Sequence, residues 1–189
     1  MIKTDKDQLL KKLYEPFLQC AMCPLGQLGR KTVVFGEGNA NATLLFLGEG
    51  PGKEEDQQGR PFIGRSGKLL NRALASANIN RADVYITNIV KCRPPNNRAP
   101  LSIESGTCKN ILLKKQLAII QPKVICTLGT VALEGLIERK IKLAEVRGKL
   151  IRMDNFFILP TYHPAYVLRN PKKIDSLVAD LRIAQQFAL

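Results

Sequence analysis

The chain has 189 residues, of which 45% are hydrophobic, so its composition predicts one folded domain with a sizeable core rather than a disordered chain. No apolar run is long enough to span a membrane, and the charged N-terminus lacks a signal-like apolar stretch, which predicts a cytoplasmic protein. Lys and Arg number 29 against 16 Asp and Glu, giving a net charge of +13 that favours nucleic acid as partner over a membrane surface or an acidic protein.

Apolar runs and their periodicity predict alternating helices and strands. A first helix is expected over residues 5–18, and residues 29–42 are expected to form a loop or a short hairpin. Further helices are expected from Ser66 to about residue 78, over 103–120, from about 130 to 138, and over 171–187. Strands are expected at 43–48, 84–88 and 123–128, followed by a hairpin of 149–152 and 156–159 with its turn at Asp154-Asn155.

This alternation of strands and helices is typical of βαβ units and indicates an α/β fold. We expect a three-layer α/β/α sandwich around a central, mainly parallel four-stranded sheet, with residues 1–189 in a single domain. Ligands bind such sheets beyond the carboxyl ends of the strands. One rim should therefore collect the polar residues that follow four strands, namely Glu49 and Gly50, Asn88, Gly129 and His163.

The turn after strand 43–48 is rich in glycine and in carboxylates. Gly48, Gly50 and Gly52 would let the backbone approach a ligand closely, because no Cβ stands in the way. The same turn carries carboxylates at Glu49, Glu54, Glu55 and Asp56. No Lys-Ser or Lys-Thr pair of a phosphate-binding P-loop follows, so the turn is predicted to bind something other than a simple phosphate.

Three side chains near the predicted rim have two interpretations each. His163, the only histidine, is either an acid–base group or an ordinary structural residue. Asn88 either caps a turn or presents a donor and an acceptor to the edge of a base. Phe62, in a polar loop, either plugs the core or offers a stacking face to a base. The residues alone leave these alternatives open.

Four of the five cysteines are candidates for a metal site. Cys20 and Cys23 form a CxxC pair, and 15 residues separate Cys92 from Cys108. Together they make a four-thiolate set for zinc or an iron–sulfur cluster, and the wide second spacing favours the cluster over a zinc ribbon. Four buried free thiols are the alternative. Cys126 lies in an apolar run and is expected to be a buried bystander.

Basic residues surround the second cysteine pair and recur in the C-terminal part of the chain. Each one is compatible with ordinary solvated surface, but together they are suited to gripping phosphates. They are Lys91, Arg93, Arg98, Lys109, Lys114, Lys115, Arg147, Lys149, Arg152, Arg169, Lys172 and Lys173.

Several motifs together resemble the family 4 uracil-DNA glycosylases. They are Gly48-Glu-Gly-Pro-Gly52, Glu55-Asp56, Gly59-Arg-Pro-Phe62, Ser66-Gly-Lys-Leu-Leu-Asn71, Thr87-Asn88-Ile-Val-Lys-Cys92-Arg-Pro-Pro and Tyr162-His163-Pro-Ala165. The resemblance covers nearly the whole chain, from Cys20 to the last helix, with the motifs in the same order. It implies a DNA-repair enzyme that hydrolyses the N-glycosidic bond of uracil in DNA and leaves an abasic site.

The resemblance also implies a role for each pocket residue. Phe62 would stack on a uracil flipped out of the duplex, and Asn88 would recognise its N3–H and O4 edge. Glu55 would block the C5 methyl group of thymine. The uracil pocket as a whole would comprise Gly48, Glu49, Gly50, Glu55, Phe62, Asn88 and His163, with Glu49 and His163 as the catalytic groups.

For the bond-breaking step, the resemblance implies stabilisation of the leaving uracil at O2 by the main chain at Gly50 and by His163. Better-known uracil glycosylases carry an aspartate at the position of Gly50, which here cannot act as a base. Glu49 is therefore the preferred candidate for orienting water or stabilising the sugar cation.

Cofactor and DNA contacts are implied in the same way. A [4Fe–4S] cluster would be bound by Cys20, Cys23, Cys92 and Cys108, and it would join the N-terminal helix and cysteine loop (about 1–28) to segment 89–108. Lys91, Arg93, Leu168 and Arg169 are expected to contact DNA, the last two by filling the gap left by the flipped base. The expected partner is uracil-containing DNA, single- or double-stranded, bound by a monomer with no membrane involved.

A second function class stays open, namely a non-catalytic iron–sulfur nucleic-acid-binding module. Such a module would be similar to the uracil-glycosylase-like domains attached to phage DNA polymerases. The intact set of Glu49, Asn88 and His163 favours the enzyme, because a binding module has no need of all three.

Overall fold

A six-stranded sheet forms the centre of the fold in the computed structural model, which describes residues 5–153 and 155–189. Its strands are β1 (Glu37–Gly38), β2 (Leu44–Gly48), β3 (Tyr85–Asn88), β4 (Val124–Leu128), β5 (Ile151–Arg152) and β6 (Phe157–Thr161). They lie in the order β1-β3-β2-β4-β6-β5. The four central strands are parallel, as predicted, and the two-residue edge strands β1 and β5 add antiparallel pairs on either side.

The described residues form nine α-helices around this sheet. They are α1 (Asp5–Tyr14), α2 (Lys53–Gln58), α3 (Arg65–Ser76), α4 (Ser102–Cys108), α5 (Lys114–Ile120), α6 (Thr130–Ile137), α7 (Leu143–Val146), α8 (Pro164–Arg169) and α9 (Ile174–Ala188). A π-helical turn over Lys109–Leu113 joins α4 to α5, so the predicted helix over 103–120 is continuous but widened directly after Cys108. Such turns are rare and frequently accompany functional sites.

Alternate residues of the central strands build two cores, one on each face of the sheet. Leu44 and Phe46 of β2 belong to the core that contains residues of α3 and α9. Leu45 and Leu47 belong to the core that contains residues of α1, α5 and α6. This arrangement explains the unbroken apolar run in β2, because a strand covered on both faces needs apolar side chains at every position. The three-layer α/β/α sandwich is the architecture predicted.

Some predicted boundaries and loops are wrong. The first helix ends at Tyr14 rather than at residue 18, and a short 3-10 turn follows it. The turn after β2 contains the short helix α2, and the segment after His163 forms the short helix α8, neither of which is predicted. Residues 29–42, expected to be a loop or a short hairpin, are mostly loop and also supply the two-residue edge strand β1. Asp154, in the predicted hairpin turn, lies outside the described residues.

Main-chain pairing continues past the carboxyl ends of β2 and β3. The Ile89 amide donates to the Gly48 carbonyl at 2.9 Å, and the Val90 amide donates to the Glu49 carbonyl at 3.2 Å. The segments that follow the two strands are therefore held side by side as they leave the sheet. No helix within residues 5–153 and 155–189 combines the length and the apolar character needed to cross a bilayer.

Candidate active site

A cavity of about 480 Å³ opens at the carboxyl edge of the parallel strands. This volume lies within the range of small-molecule sites. The cavity brings together the predicted pocket residues Glu49, Gly50, Glu55, Phe62, Asn88 and His163. Gly129 is placed behind His163 rather than on the cavity wall, since a Cβ on Gly129 would lie 2.9 Å from the Cβ of His163. The predicted convergence of strand ends at one rim is therefore present in the fold.

Phe62 forms one wall and is held in an unusual backbone conformation. Its φ is +52°, in the left-handed region that non-glycine residues seldom adopt, and its side chain is 5% exposed. Two glycines make room for it: a Cβ on Gly67 would overlap the Phe62 carbonyl, and one on Gly48 would lie 2.5 Å from the ring. The Phe62 and His163 ring centroids are 5.8 Å apart. The ring is thus fixed at the cavity wall, where it can present a face to a flat ligand.

Asn88 ends β3 and is 1% exposed. Its Oδ1 atom is buried and has no hydrogen-bond partner within the described residues. A Cβ on Gly48 would overlap that oxygen, so the amide packs directly over the Gly48 α-carbon. Since buried polar atoms are nearly always paired, this orphaned oxygen in a cavity wall indicates a place for a ligand donor.

His163 follows β6 and serves as the N-cap of α8. Its Nδ1 accepts a hydrogen bond from the Ala165 amide at 3.1 Å, so the neutral ring carries its proton on Nε2. The pKa of His163 is lowered to about 4, mainly by burial and also by the nearby Arg169, while Glu55 opposes the decrease. The imidazole is therefore a neutral hydrogen-bond donor at pH 7.

Glu49 and Gly50 leave β2 at the floor of the cavity. Burial raises the pKa of the Glu49 carboxyl above its usual value. A Cβ on Gly50 would lie 2.8 Å from Cγ2 of Val90, so a larger residue at this position would collide with the segment after β3. The glycine therefore reflects close packing of two neighbouring loops.

Glu55 is a buried carboxylate in α2, with 7% of its surface exposed. Its Oε1 accepts hydrogen bonds from the amides of Ile63 at 3.0 Å and Gly64 at 2.8 Å. These bonds fix the side chain against the cavity and at the same time order the loop that carries Phe62. Glu55 therefore has a structural part in shaping the wall.

Further cavity residues were not singled out for the pocket by the sequence. They are Pro51, Gly52, Ser66, Pro94, Asn97, Arg98, Ala165 and Tyr166, with Arg169 at the same opening. Arg98 forms a two-point ion pair with the fully buried Glu104, at 2.7 and 2.8 Å, which anchors this wall to α4. Tyr166 is 38% exposed and stacks on Tyr162, with ring centroids 5.1 Å apart. No local pattern marks either residue, because both reach the cavity through tertiary packing.

The structure contradicts the prediction made for Lys91. It was expected to contact DNA, but its side chain is 0% exposed, and its Nζ donates to Thr87 Oγ1 and to the Asn88 carbonyl, each at 2.6 Å. Burial lowers the pKa of this ammonium to about 7. A side chain without solvent-accessible surface cannot reach a phosphate, so the DNA-contact assignment of Lys91 is wrong in this fold.

The other residues expected to contact DNA differ in exposure. Arg169 is exposed at the cavity opening, and Arg93 is half-buried with its Nε donating to Asn97 Oδ1 at 2.8 Å. Leu168 is half-buried and packs partly against the core beneath α8. Arg169 and Arg93 are thus available at the surface, whereas Leu168 presents only part of its side chain.

The four predicted metal ligands come from two segments that meet in one apolar region. Cys92 and Cys108 are buried, Cys20 and Cys23 are half-buried, and Cys23 packs against the same core as the buried pair. The pKa of Cys92 is raised to about 12, mainly by burial and to a smaller extent by the other three thiols. Within the described residues, no three Cys, His, Asp or Glu side chains are already arranged around a metal position.

The surroundings of these four cysteines suit thiolate ligands of a metal cluster. The main-chain amides of Leu25 and Lys91 lie close to the sulfurs of Cys23 and Cys108, respectively, and favour their charged forms. The Gly26 amide donates to the Cys23 carbonyl at 3.0 Å. Arg30 donates to the Cys20 carbonyl at 2.7 Å and lowers the pKa of Cys92. Amide donors and a nearby cation stabilise the negative charge of thiolate ligands. The donor set therefore fits an iron–sulfur cluster in number and chemistry.

Comparison with known proteins assigns this sequence to a family. Residues 35–183 match the model of the uracil DNA glycosylase superfamily. The chain is 46% identical to a type-4 uracil-DNA glycosylase of Thermotoga maritima, covering 87% of this chain and 86% of the relative. It is 43% identical to one of Pyrobaculum aerophilum, covering 91% of each, and 39% identical to one of Sulfurisphaera tokodaii, covering 95% and 85%. The family predicted from the motifs is confirmed: the chain belongs to the uracil DNA glycosylase superfamily.

Proposed function

We propose that this protein is a monofunctional DNA-repair glycosylase that hydrolyses the N-glycosidic bond of uracil in DNA and leaves an abasic site. One observation carries the proposal: the Asn88 side chain belongs to the wall of a cavity large enough for a base, and its buried amide oxygen has no hydrogen-bond partner among the described residues. A flipped base would supply the missing hydrogen-bond donor.

Asn88 suits the Watson–Crick edge of uracil. Uracil presents a donor at N3 and an acceptor at O4, and an amide presents an acceptor and a donor side by side. Cytosine presents an acceptor at N3 and a donor at N4, which would oppose like groups in the same orientation. Phe62, fixed at the cavity wall, would stack on the ring of the bound base.

Departure of uracil places negative charge on its O2 and N1 atoms. His163, with its proton on Nε2, would donate a hydrogen bond to O2, and the main chain at Gly50 would supply a second donor. Fixed donors aimed at developing charge are among the strongest contributions to catalysis. The low pKa of His163 supports a neutral donor rather than an acid that transfers its proton.

Glu49 is the first carboxylate after β2 and lines the cavity that would hold the base, and burial raises its pKa. We assign it the task of orienting water or stabilising the positive charge on the sugar. The collision that a side chain at position 50 would make with Val90 supports this assignment, because a carboxylate at that position has no space.

Glu55 would act in specificity. Its carboxylate, fixed by two amides at the cavity wall, would occupy the space that the C5 methyl group of thymine requires. Glu55→Ala should therefore gain measurable excision of thymine from a T:G duplex, and complete inactivity on thymine in a folded variant that excises uracil would contradict this role.

Cys20, Cys23, Cys92 and Cys108 would hold a [4Fe–4S] cluster. When bound, the cluster supplies iron–thiolate bonds that cross-link the N-terminal segment (about 1–28) to segment 89–108. That second segment carries both Asn97 and Arg98 of the cavity wall. A structural role for the cluster follows, because it would order one side of the pocket.

DNA would be held mainly through phosphates. The net charge of +13 supports a strong non-specific affinity, and Arg93 and Arg169 are accessible near the cavity. Leu168 and Arg169 would fill the space vacated by the flipped base. The protein would act as a monomer in the cytoplasm on single- or double-stranded DNA.

The decisive experiment uses a labelled duplex with a single uracil, followed by hot alkali to cleave abasic sites. Wild-type protein should cleave the uracil strand and leave a matched thymine duplex intact. Asn88→Ala is the control: it should lower excision by ~10²–10³, as for loss of a transition-state hydrogen bond, while binding undamaged DNA normally. A wild-type protein that binds the duplex but produces no break after prolonged incubation would favour the non-catalytic binding module.

A further inference from the structure

Lys91 has the most unusual environment of the charged residues in this site. It is 0% exposed and ranks among the largest fully buried side chains of the described residues. Placing an amine in the interior is strongly unfavourable unless it is hydrogen-bonded, and a methionine of similar length would fill the space without that penalty. The presence of a lysine at this buried position therefore indicates that its hydrogen bonds have a function.

Those hydrogen bonds clamp the end of β3. Lys91 Nζ donates to Thr87 Oγ1 and to the Asn88 carbonyl, each at 2.6 Å. Thr87 Oγ1 in turn donates to the Phe35 carbonyl at 2.7 Å, and the Lys91 carbonyl accepts from the Val34 amide at 2.7 Å. The Lys91 side chain thus reaches back over the end of β3, to the residues three and four positions before it.

The Asn88 side chain depends on this clamp for its direction. Among the described residues, no group forms a hydrogen bond with the side-chain amide of Asn88, and its Oδ1 is buried without a partner. Packing over Gly48 and the position of its own backbone direct it toward the cavity. The peptide that follows Asn88 is held at its N–H by the Gly48 carbonyl, at 2.9 Å, and at its carbonyl by Lys91. A rotation of the peptide that follows Asn88 would therefore move the amide away from the base.

We propose that Lys91 is a positioning residue for uracil recognition, which fixes the Asn88 peptide from inside the protein and makes no contact with DNA. The proposal rests on the proposed role of Asn88. Lys91 also connects that role to the cysteines, because its own amide lies close to the Cys108 sulfur and Cys92 is the next residue.

The test compares Lys91→Met with Arg93→Met, two substitutions in the same segment with opposite expected results. Lys91→Met should raise the inhibition constant of free uracil about tenfold and lower the single-turnover rate about 10- to 100-fold, as for small misplacements of a recognition group. Its affinity for uracil-free duplex, and the salt dependence of that affinity, should not change. Arg93→Met should leave uracil inhibition unchanged, weaken duplex binding and reduce the salt slope by about 1.

Three outcomes would overturn the proposal. A reduced salt slope in Lys91→Met would make it a DNA contact, and unchanged uracil inhibition and rate would make it a packing residue. Loss of the visible absorbance of the cluster together with activity would make it a cluster-supporting residue. Inactivity of the wild type on uracil DNA would instead contradict the proposed function, and it would be seen without any substitution.

A second pair of variants covers the case in which Lys91→Met fails to fold. Thr87→Val removes the hydroxyl that accepts one of the two lysine hydrogen bonds, and Thr87→Ser retains it. Thr87→Val should weaken inhibition by free uracil, whereas Thr87→Ser should resemble the wild type. Equal inhibition constants in both variants would contradict the clamp.

Discussion

The neighbours of His163 hold its imidazole as a neutral hydrogen-bond donor. The Ala165 amide fixes the tautomer, and burial keeps the ring neutral by lowering its pKa to about 4. A donor of this kind acts on charge that develops as the glycosidic bond breaks. His163→Ala should therefore lower the single-turnover rate at saturating DNA by ~10²–10³, with little change in the affinity for DNA. An unchanged rate would exclude this residue from the chemical step.

The same histidine makes stability depend on pH. Unfolded chain takes up a proton near pH 6.5, whereas the folded protein does so only near pH 4, so the free energy of unfolding decreases as pH falls between these values. From pH 7 to pH 5 this contribution falls by about 2 kcal/mol. Denaturant unfolding at both pH values should show the decrease in wild type and a smaller one in His163→Ala. Parallel curves for the two proteins would contradict the depressed pKa.

Single residues also mark the limit of what sequence can predict. The motifs correctly brought Phe62, Asn88 and His163 to one cavity. From the sequence, Lys91 is expected to contact DNA, because it is one of the basic residues that surround the second cysteine pair. The hydrogen-bond partners of its ammonium are close in sequence, at residues 87 and 88. Its burial is a tertiary effect, because its main chain pairs with Val34, which is far away in sequence.

Among the elements, the strands were predictable and the short helices were not. β2 and β4 consist almost entirely of apolar residues, because both faces of a central parallel strand are covered. β3 begins with Tyr85 and Ile86 and ends on the polar Thr87 and Asn88. α2, with the sequence Lys-Glu-Glu-Asp-Gln-Gln, has no apolar face to reveal it. Its buried residues are the carboxylates Glu55 and Asp56, whose partners are main-chain amides of other loops. Hydrophobic periodicity does not detect a helix that buries charged side chains against backbone donors.

Gly67, near the start of α3, provides a test of the packing between this helix and the loop that carries Phe62. Gly67 lies in a helix, where alanine is normally favoured by about 1 kcal/mol, but a Cβ there would overlap the Phe62 carbonyl. Gly67→Ala should therefore lower the free energy of unfolding and weaken inhibition by free uracil, because Phe62 must move. Gly106→Ala in α4 is the matched control, since a Cβ there meets nothing within 4 Å. It should stabilise the protein by roughly 0.5–1 kcal/mol, and equal effects at both positions would contradict the steric argument.

Across the whole molecule, the cysteines would join segments that are far apart in sequence. Cys108→Ser should abolish the visible absorbance of the cluster and lower the free energy of unfolding by roughly 2–4 kcal/mol, comparable with loss of a covalent cross-link between distant segments. Cys126→Ser is the matched control, because Cys126 is buried in β4 and apart from the other four. It should lose some stability but retain the absorbance. Loss of absorbance in both variants, or in neither, would contradict the ligand assignment.

The N-terminal helix is attached to this body by bonds that involve no cysteine. The Tyr14 hydroxyl lies 2.6 Å from that of Tyr85 and accepts a hydrogen bond from Gln116 at 2.7 Å, and Lys6 donates to the Ile120 carbonyl at 2.8 Å. These contacts tie α1 to the sheet and to α5 independently of the proposed cluster. Binding of the cluster would therefore order mainly the short loop that carries Cys20 and Cys23, and it would not be needed to keep α1 in place.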